Sequence, residues 1–262
     1  ERAAAGYPSY QGEPSYRAAC AAWMHRRFGV ACDPEREVCA TIGSKEAVFN
    51  VHEALLDPGD LILVPSPGYP PYKRGAAFAE GTPWFYPLEQ ANGYLPDLDA
   101  IPEDVAERAR AIWVCYPNSP TGAVADRAFY ERLLGKADRH GWAVLCDEAY
   151  SEIYYGEEKP LSLLEVRKEG VLTIFSMSKR SAMTGWRIGW VAGDERLVSM
   201  FRKVKTNVDS GTPTFIQDAA IAALEDEEHV DAFRATYGEK RAIMLDALRK
   251  AGLEDCAPPA TL

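Results

Sequence analysis

The sequence predicts an α/β fold built on a mostly parallel sheet, and three observations predict it. Short apolar runs recur along the chain, at residues 61–65, 111–116, 143–146 and 171–175, without the polar alternation of a half-exposed strand. Runs of that length read as strands buried on both faces, the habit of parallel sheets. Segments of helical character, such as 15–28 and 127–140, stand between them, and alternating strands and helices belong to the α/β class. Aromatic and polar residues follow the strands directly, where ligands bind in an open α/β sheet. No G-x-G-x-x-G follows a strand, which sets aside a nicotinamide-binding Rossmann domain.

Taken in order, the turn-rich Y-P-S-Y-Q-G-E-P from Tyr7 leads into a helix over 15–28, with Ala18, Ala21, Ala22, Trp23 and Phe28 as its buried stripe. Residues 38–42 form a short strand. Gly43, Ser44 and Lys45 then open a helix to about Leu56. Free N–H groups, a small glycine and a hydroxyl there offer an anion site; an ordinary serine cap is the plainer reading. The strand at 61–65 ends in S-P-G-Y-P-P-Y, which carries Tyr69. Residues 82–88 form another strand, Asn92-Gly93 marks a turn, and the acidic stretch 96–109 reads as a solvated helix. The strand at 111–116 runs into P-N-S-P-T-G, where an X-Pro bond is a candidate cis peptide. A helix over 127–140 stops at Gly141. The strand that follows ends in D-E-A-Y, with Asp147 and Tyr150. A buried strand running into a carboxylate needs a partner for that charge, unless Asp147 only caps a turn. A strand at 188–193 precedes a helix capped by Asp194 and running to about Lys205, on which Lys203 and Lys205 read as solvated. Helices over 212–224 and 229–250 flank the charge run E-D-E-E, read as a solvated helix start.

The 262 residues can bury a large core, and 47% hydrophobic with 26% charged residues is ordinary for a water-soluble globular chain. A net charge of −10 argues against nucleic acid or an anionic membrane as partner, since both ask for a basic face. Six cysteines, Cys20, Cys32, Cys39, Cys115, Cys146 and Cys256, are scattered without a C-x-x-C and read as thiols of a reducing cytosol. The four histidines have no metal-ligand spacing. No signal peptide or membrane-length apolar run is present.

The densest chemistry lies in S-M-S-K-R-S-A-M-T-G-W-R-I-G, residues 176–189, behind the strand at 171–175. Lys179, held against a sheet and partly desolvated, is a nucleophile able to condense with a carbonyl cofactor. Ser176, Ser178 and Arg187 supply two hydroxyls and a planar guanidinium fork, the donor set that a phosphate takes. A carbonyl and a phosphate on one ligand describe pyridoxal 5'-phosphate. The pattern S-x-S-K-x-x-x-M-x-G-W-R-x-G resembles the lysine motif of the class I/II aminotransferases, the fold-type I pyridoxal-phosphate enzymes. The likeness runs from about Tyr7 to about Leu248, with the motifs in the family's order. Y-P-S-Y-Q-G and K-T-N-V-D-S-G resemble most the subgroup of LL-diaminopimelate and alanine-type aminotransferases.

The resemblance implies a three-layer α/β/α sandwich and a division into a cofactor-binding large domain, 1–228, and a bridging helix with the start of a small C-terminal domain, 229–262. It implies that Lys179 carries the cofactor, that Asp147 holds the ring nitrogen charged, and that Tyr150 donates to the phenolic oxygen. Tyr69 would stack on the ring. Ser44, Lys45, Ser176, Ser178 and Arg187 would take the phosphate, joined by Tyr7 from the other chain of a homodimer. The family's N-P-T-G loop is matched by P-N-S-P-T-G, so its asparagine aligns with Ser119 and not with Asn118. Ser119 through a water, Asn118 directly, or neither could make that contact. By family comparison the chain reads as a fragment lacking an N-terminal arm and most of the small domain. The activity implied is transfer of an amino group between an amino acid and a 2-oxo acid in the cytoplasm. A carbon–sulfur β-lyase on the same scaffold, and a non-catalytic sensor or remnant, are the alternatives.

Overall fold

The structure is a computed structural model, and it describes residues 6–253 and 257–261. It is the three-layer α/β/α sandwich that the sequence predicts. The elements run α1 (Pro14–Phe28), β1 (Val38–Thr41), α2 (Ser44–Leu55), β2 (Leu61–Ser66), α3 (Pro70–Phe78), β3 (Thr82–Pro87), α4 (Glu103–Arg108), β4 (Ala109–Cys115), α5 (Arg127–His140), β5 (Ala143–Asp147), β6 (Val171–Ser176), α6 (Met177–Arg180), β7 (Gly189–Gly193), α7 (Glu195–Val208), α8 (Thr214–Glu225) and α9 (Glu228–Lys250). The seven strands form one sheet in the order β1-β7-β6-β5-β4-β2-β3. β7 is antiparallel to both its neighbours and every other pairing is parallel, so β7 alone runs against the other six.

Period-two alternation divides the strands between two cores. Leu61, Leu63, Ile112, Val114, Val144, Val171 and Phe175 face α1, α5 and α8. Ile62, Val64, Trp113, Leu145, Leu172 and Ile174 face α2, α3 and α7. Both faces are therefore covered, and the carboxyl ends of the parallel strands are left as one open edge.

Three sequence expectations are corrected. On α1 the buried stripe is Tyr16, Cys20, Trp23, Met24 and Phe28 with Ala21 beside it, while Ala18 and Ala22 face solvent. The wide aromatic and sulfur side chains bury more apolar area than the alanines do, and they set the helix's rotation. The stretch 96–109 is not one helix. Asp97 accepts the Asp99 and Ala100 N–H groups to close a 3-10 turn, Pro102 restarts the chain, and only six helical residues follow before β4. Lys205 is buried and not solvated. Five cysteines are free thiols among the described residues, and Cys256 lies outside them. No helix among the described residues is long and apolar enough to cross a membrane.

Candidate active site

The predicted residues gather at the open sheet edge because each follows a strand end there. Ser44 follows β1, Tyr69 follows β2, Ser119 follows β4, Asp147 ends β5 and Tyr150 follows it, and Lys179 follows β6. Arg187 reaches the same edge because β7 is reversed: Gly189 pairs both with Ser176 at the end of β6 and with Thr41 at the end of β1.

Asp147 is buried, 6% exposed, and no cationic side chain pairs with it among the described residues. Burial pushes its carboxyl up; the Ala149 N–H, at 3.1 Å from Oδ1, and the Tyr72 hydroxyl, at 2.9 Å from Oδ2, pull the other way. A desolvated carboxylate held only by neutral donors is short of a positive partner. Tyr72 was not singled out by the sequence. It is fully buried on α3 and stacks on Trp113 at 4.5 Å, with Pro70 fixing the helix start ahead of it. Trp113 in turn donates from Nε1 to His52 Nε2 at 3.0 Å. Burial lowers His52 to about 4, so the ring stays neutral and keeps that acceptor.

Lys179 lies half-buried on α6, with Nζ 5.4 Å from the centroid of the Tyr150 ring. Burial raises the Tyr150 phenol, and a hydrogen bond with the Ser119 side chain opposes the rise. Asn118 turns inward instead. Its Nδ2 donates to the Cys115 carbonyl at 3.2 Å and its Oδ1 accepts from the Thr121 hydroxyl at 2.8 Å, which shapes the loop. Of the two side chains, Ser119 is the one beside Tyr150. The Ser119–Pro120 peptide is cis. Tyr69 is 39% exposed and edge-on to Tyr72; burial raises its phenol first, then the charge of Asp147.

A second group of donors adjoins the first. Arg187 has φ +56°, and its Nη1 donates to the Thr184 carbonyl at 2.8 Å and lies 3.5 Å from Ser178 Oγ. Its guanidinium rests against Gly43, where a Cβ would collide with it, and Gly43 also has φ +73°. Only glycine allows both the backbone angle and the close approach there. The first N–H groups of α2 and the guanidinium thus face one space. Ser176 Oγ accepts the Ser178 N–H at 3.2 Å and caps α6, leaving its own proton to donate. Lys45 is exposed on the first turn of α2. Tyr7 is apart from the group, 84% exposed, with its ring edge-on to Tyr10 at 6.4 Å.

This arrangement can seat an anion on Arg187, Ser178 and the start of α2, hold a cationic ring atom on Asp147, and offer an amine to a carbonyl between them. The sequence model for aminotransferase class I and II matches residues 1–262. The chain is 49% identical over 251 residues to the LL-diaminopimelate aminotransferase of Aquifex aeolicus, covering 95% of this chain and 65% of that protein. It is 45% identical to the protein of that name from Gloeobacter violaceus, covering 98% and 66%. It therefore spans just under two thirds of the length of these curated relatives. Among solved structures, substrate-bound BacF from Bacillus subtilis superposes with a TM-score of 0.94 at 36% identity, covering 98% of this chain and 66% of that one. A mutant of Thermus thermophilus aspartate aminotransferase gives 0.90 at 32% identity, covering 98% and 68%. With the family model matching residues 1–262 and the fold superposing over 98% of the chain, the chain belongs to the aminotransferase class I and II family.

Proposed function

We propose that the protein is a pyridoxal-phosphate-dependent aminotransferase moving an amino group between an amino acid and a 2-oxo acid, working in the cytoplasm as a homodimer. The observation that carries this reading is the buried, cation-free Asp147 on the same sheet edge as Lys179 and the Gly43–Arg187 cradle. The donor set fits the cofactor at both ends. Ser44, Lys45, Ser176, Ser178 and Arg187 would hold its phosphate, completed by the partner subunit's Tyr7, and Lys179 would carry its carbonyl carbon.

When bound, the ring supplies an electron sink that acidifies the α-proton of an amino acid. Asp147 would hold the proton on the ring nitrogen, and Tyr72 and Ala149 fix the orientation of its carboxylate. The Tyr150 hydroxyl, with Ser119 beside it, would donate to the phenolic oxygen. Tyr69 would cover the ring face and exclude water. Once the substrate's amino group has displaced it, the freed amine of Lys179 would take the proton from the substrate's α-carbon, general acid–base work that needs a group within reach of that atom. Residues 229–250 are read as the bridge to the small domain: of α9's 23 residues only Val230 and Leu245 are buried. Similarity to LL-diaminopimelate aminotransferases supports that diamino diacid as the first amino donor to assay.

Borohydride reduction after addition of pyridoxal phosphate should leave the adduct on Lys179, read by peptide mass. An adduct on Lys45, Lys203 or Lys205 would sink the assignment. In the same preparation, a new 2-oxo acid formed in step with the acceptor's loss supports transamination. Pyruvate and ammonia from a β-substituted amino acid would instead favour the β-lyase.

A further inference from the structure

The loop that opens α2 and the segment that follows α7 are tied together by one buried lysine. Lys205 is 1% exposed, yet its Nζ lies 2.7 and 2.8 Å from the two carboxylate oxygens of Asp209 and 3.4 Å from Glu46 Oε2. Each carboxylate fixes a piece of backbone. Glu46 Oε2 accepts the Ile42 N–H at 3.0 Å and its Oε1 accepts from Asn50 Nδ2 at 2.9 Å, so it holds the chain just ahead of Gly43 and Ser44. Asp209 Oδ1 accepts the Gly211 N–H at 2.7 Å. The next residue, Thr212, donates from its hydroxyl to the Arg187 carbonyl at 3.3 Å. The Arg187 guanidinium packs back against Gly43. The contacts close a ring: Lys205, Glu46, the loop at 42–44, Arg187, Thr212, Asp209 and Lys205 again.

A buried ammonium facing two carboxylates holds its geometry only while the charges stay paired, because either carboxylate left alone would draw in water. We infer that Lys205 is a positioning residue for the anion cradle: by clamping Glu46 to Asp209 it sets the gap between the Gly43–Ser44 backbone and the Arg187 guanidinium, and with it the affinity for the phosphate end of the cofactor. Lys205 itself touches no ligand in this scheme. The inference rests on the reading of that cradle as a phosphate site, and the test separates the two.

Pyridoxal phosphate and pyridoxal are titrated separately, by absorbance, against the wild type, Lys205→Met and Lys205→Arg. A wild type that binds the two ligands equally removes the phosphate reading and the inference with it. Where the wild type prefers the phosphorylated ligand, Lys205→Met is expected to weaken pyridoxal phosphate by about tenfold, the scale of losing a residue that orients a binding group, and to leave pyridoxal little changed. Lys205→Arg, which keeps the charge, should recover most of the loss. Equal losses for both ligands, or none for pyridoxal phosphate, overturn the inference while leaving the phosphate site standing. Should Lys205→Met not fold, Asp209→Asn carries the test, since asparagine still accepts the Gly211 N–H but gives the ammonium no opposite charge. It should lose pyridoxal phosphate affinity severalfold with pyridoxal unchanged; unchanged affinity for both contradicts the proposal.

Discussion

At the scale of single residues, the site depends on what surrounds Asp147. Its carboxylate has two neutral donors and a stacked wall of Tyr72 on Trp113. Removing the phenol oxygen leaves Oδ2 buried without a partner, which costs about 1–3 kcal/mol. Tyr72→Phe should therefore lower stability by that order in a denaturant titration and slow exchange of the substrate's α-proton with deuterium, with cofactor affinity nearly kept. A Tyr72→Phe protein with wild-type exchange would show that the phenol only fills space. Asp147, Lys179 and Arg187 were legible in the sequence because each chemical group sits a fixed step past a strand end or inside one short motif. Tyr72 and the role of Lys205 were not, because the partners that define them are remote: Asp147 is 75 residues from Tyr72, and Glu46 is 159 from Lys205, whose nearer partner Asp209, four residues on, reads by itself as an ordinary helix pair. One signal for Lys205 was present. Val198, Phe201 and Lys205 follow one another at helical spacing on the buried face of α7, so the lysine continues an apolar stripe.

At the scale of elements, the strands and α5 were legible from apolar runs and caps, whereas the break at Pro102 needed the Asp97 side chain to be seen closing its turn. The link from β5 to the following turn rests on Glu148, 1% exposed, whose Oε1 accepts from the Ser162 hydroxyl at 3.1 Å and the Leu163 N–H at 2.9 Å. Its Oε2 is buried with no hydrogen-bond partner among the described residues. Burial raises this carboxyl from 4.5 to about 8. Between those values the folded chain keeps a proton that the unfolded chain has released, so the folded state loses stability as pH rises through that window, by at most about 5 kcal/mol. Glu148→Gln keeps the acceptor and removes the titration. The stability of the wild type relative to this variant should fall between pH 5 and pH 8 in urea titrations; a constant difference would mean that Glu148 is ionised throughout.

At the scale of the whole molecule, a net charge of −10 surrounds the proposed anion site, so any affinity there would come from the local convergence of Arg187 and the start of α2. Tyr7, 84% exposed, is the residue that the proposed homodimer would cover. If the partner subunit's Tyr7 completes the cradle, cofactor occupancy should rise with protein concentration in step with the dimer fraction in sedimentation. Full occupancy in a monomer would exclude that role. The reversed strand has a further consequence, for synthesis. Among the described residues β1 has β7 as its only strand neighbour, so Thr41 does not pair in the sheet until Gly189 has been made. While the ribosome works through the intervening strands, β1 waits with an open edge, and pairings this far apart along the chain form late. The cradle between Gly43 and Arg187 is thus among the last parts of the sheet edge to be assembled, and a nascent chain stalled before β7 would carry Asp147 and Lys179 with no seat for an anion.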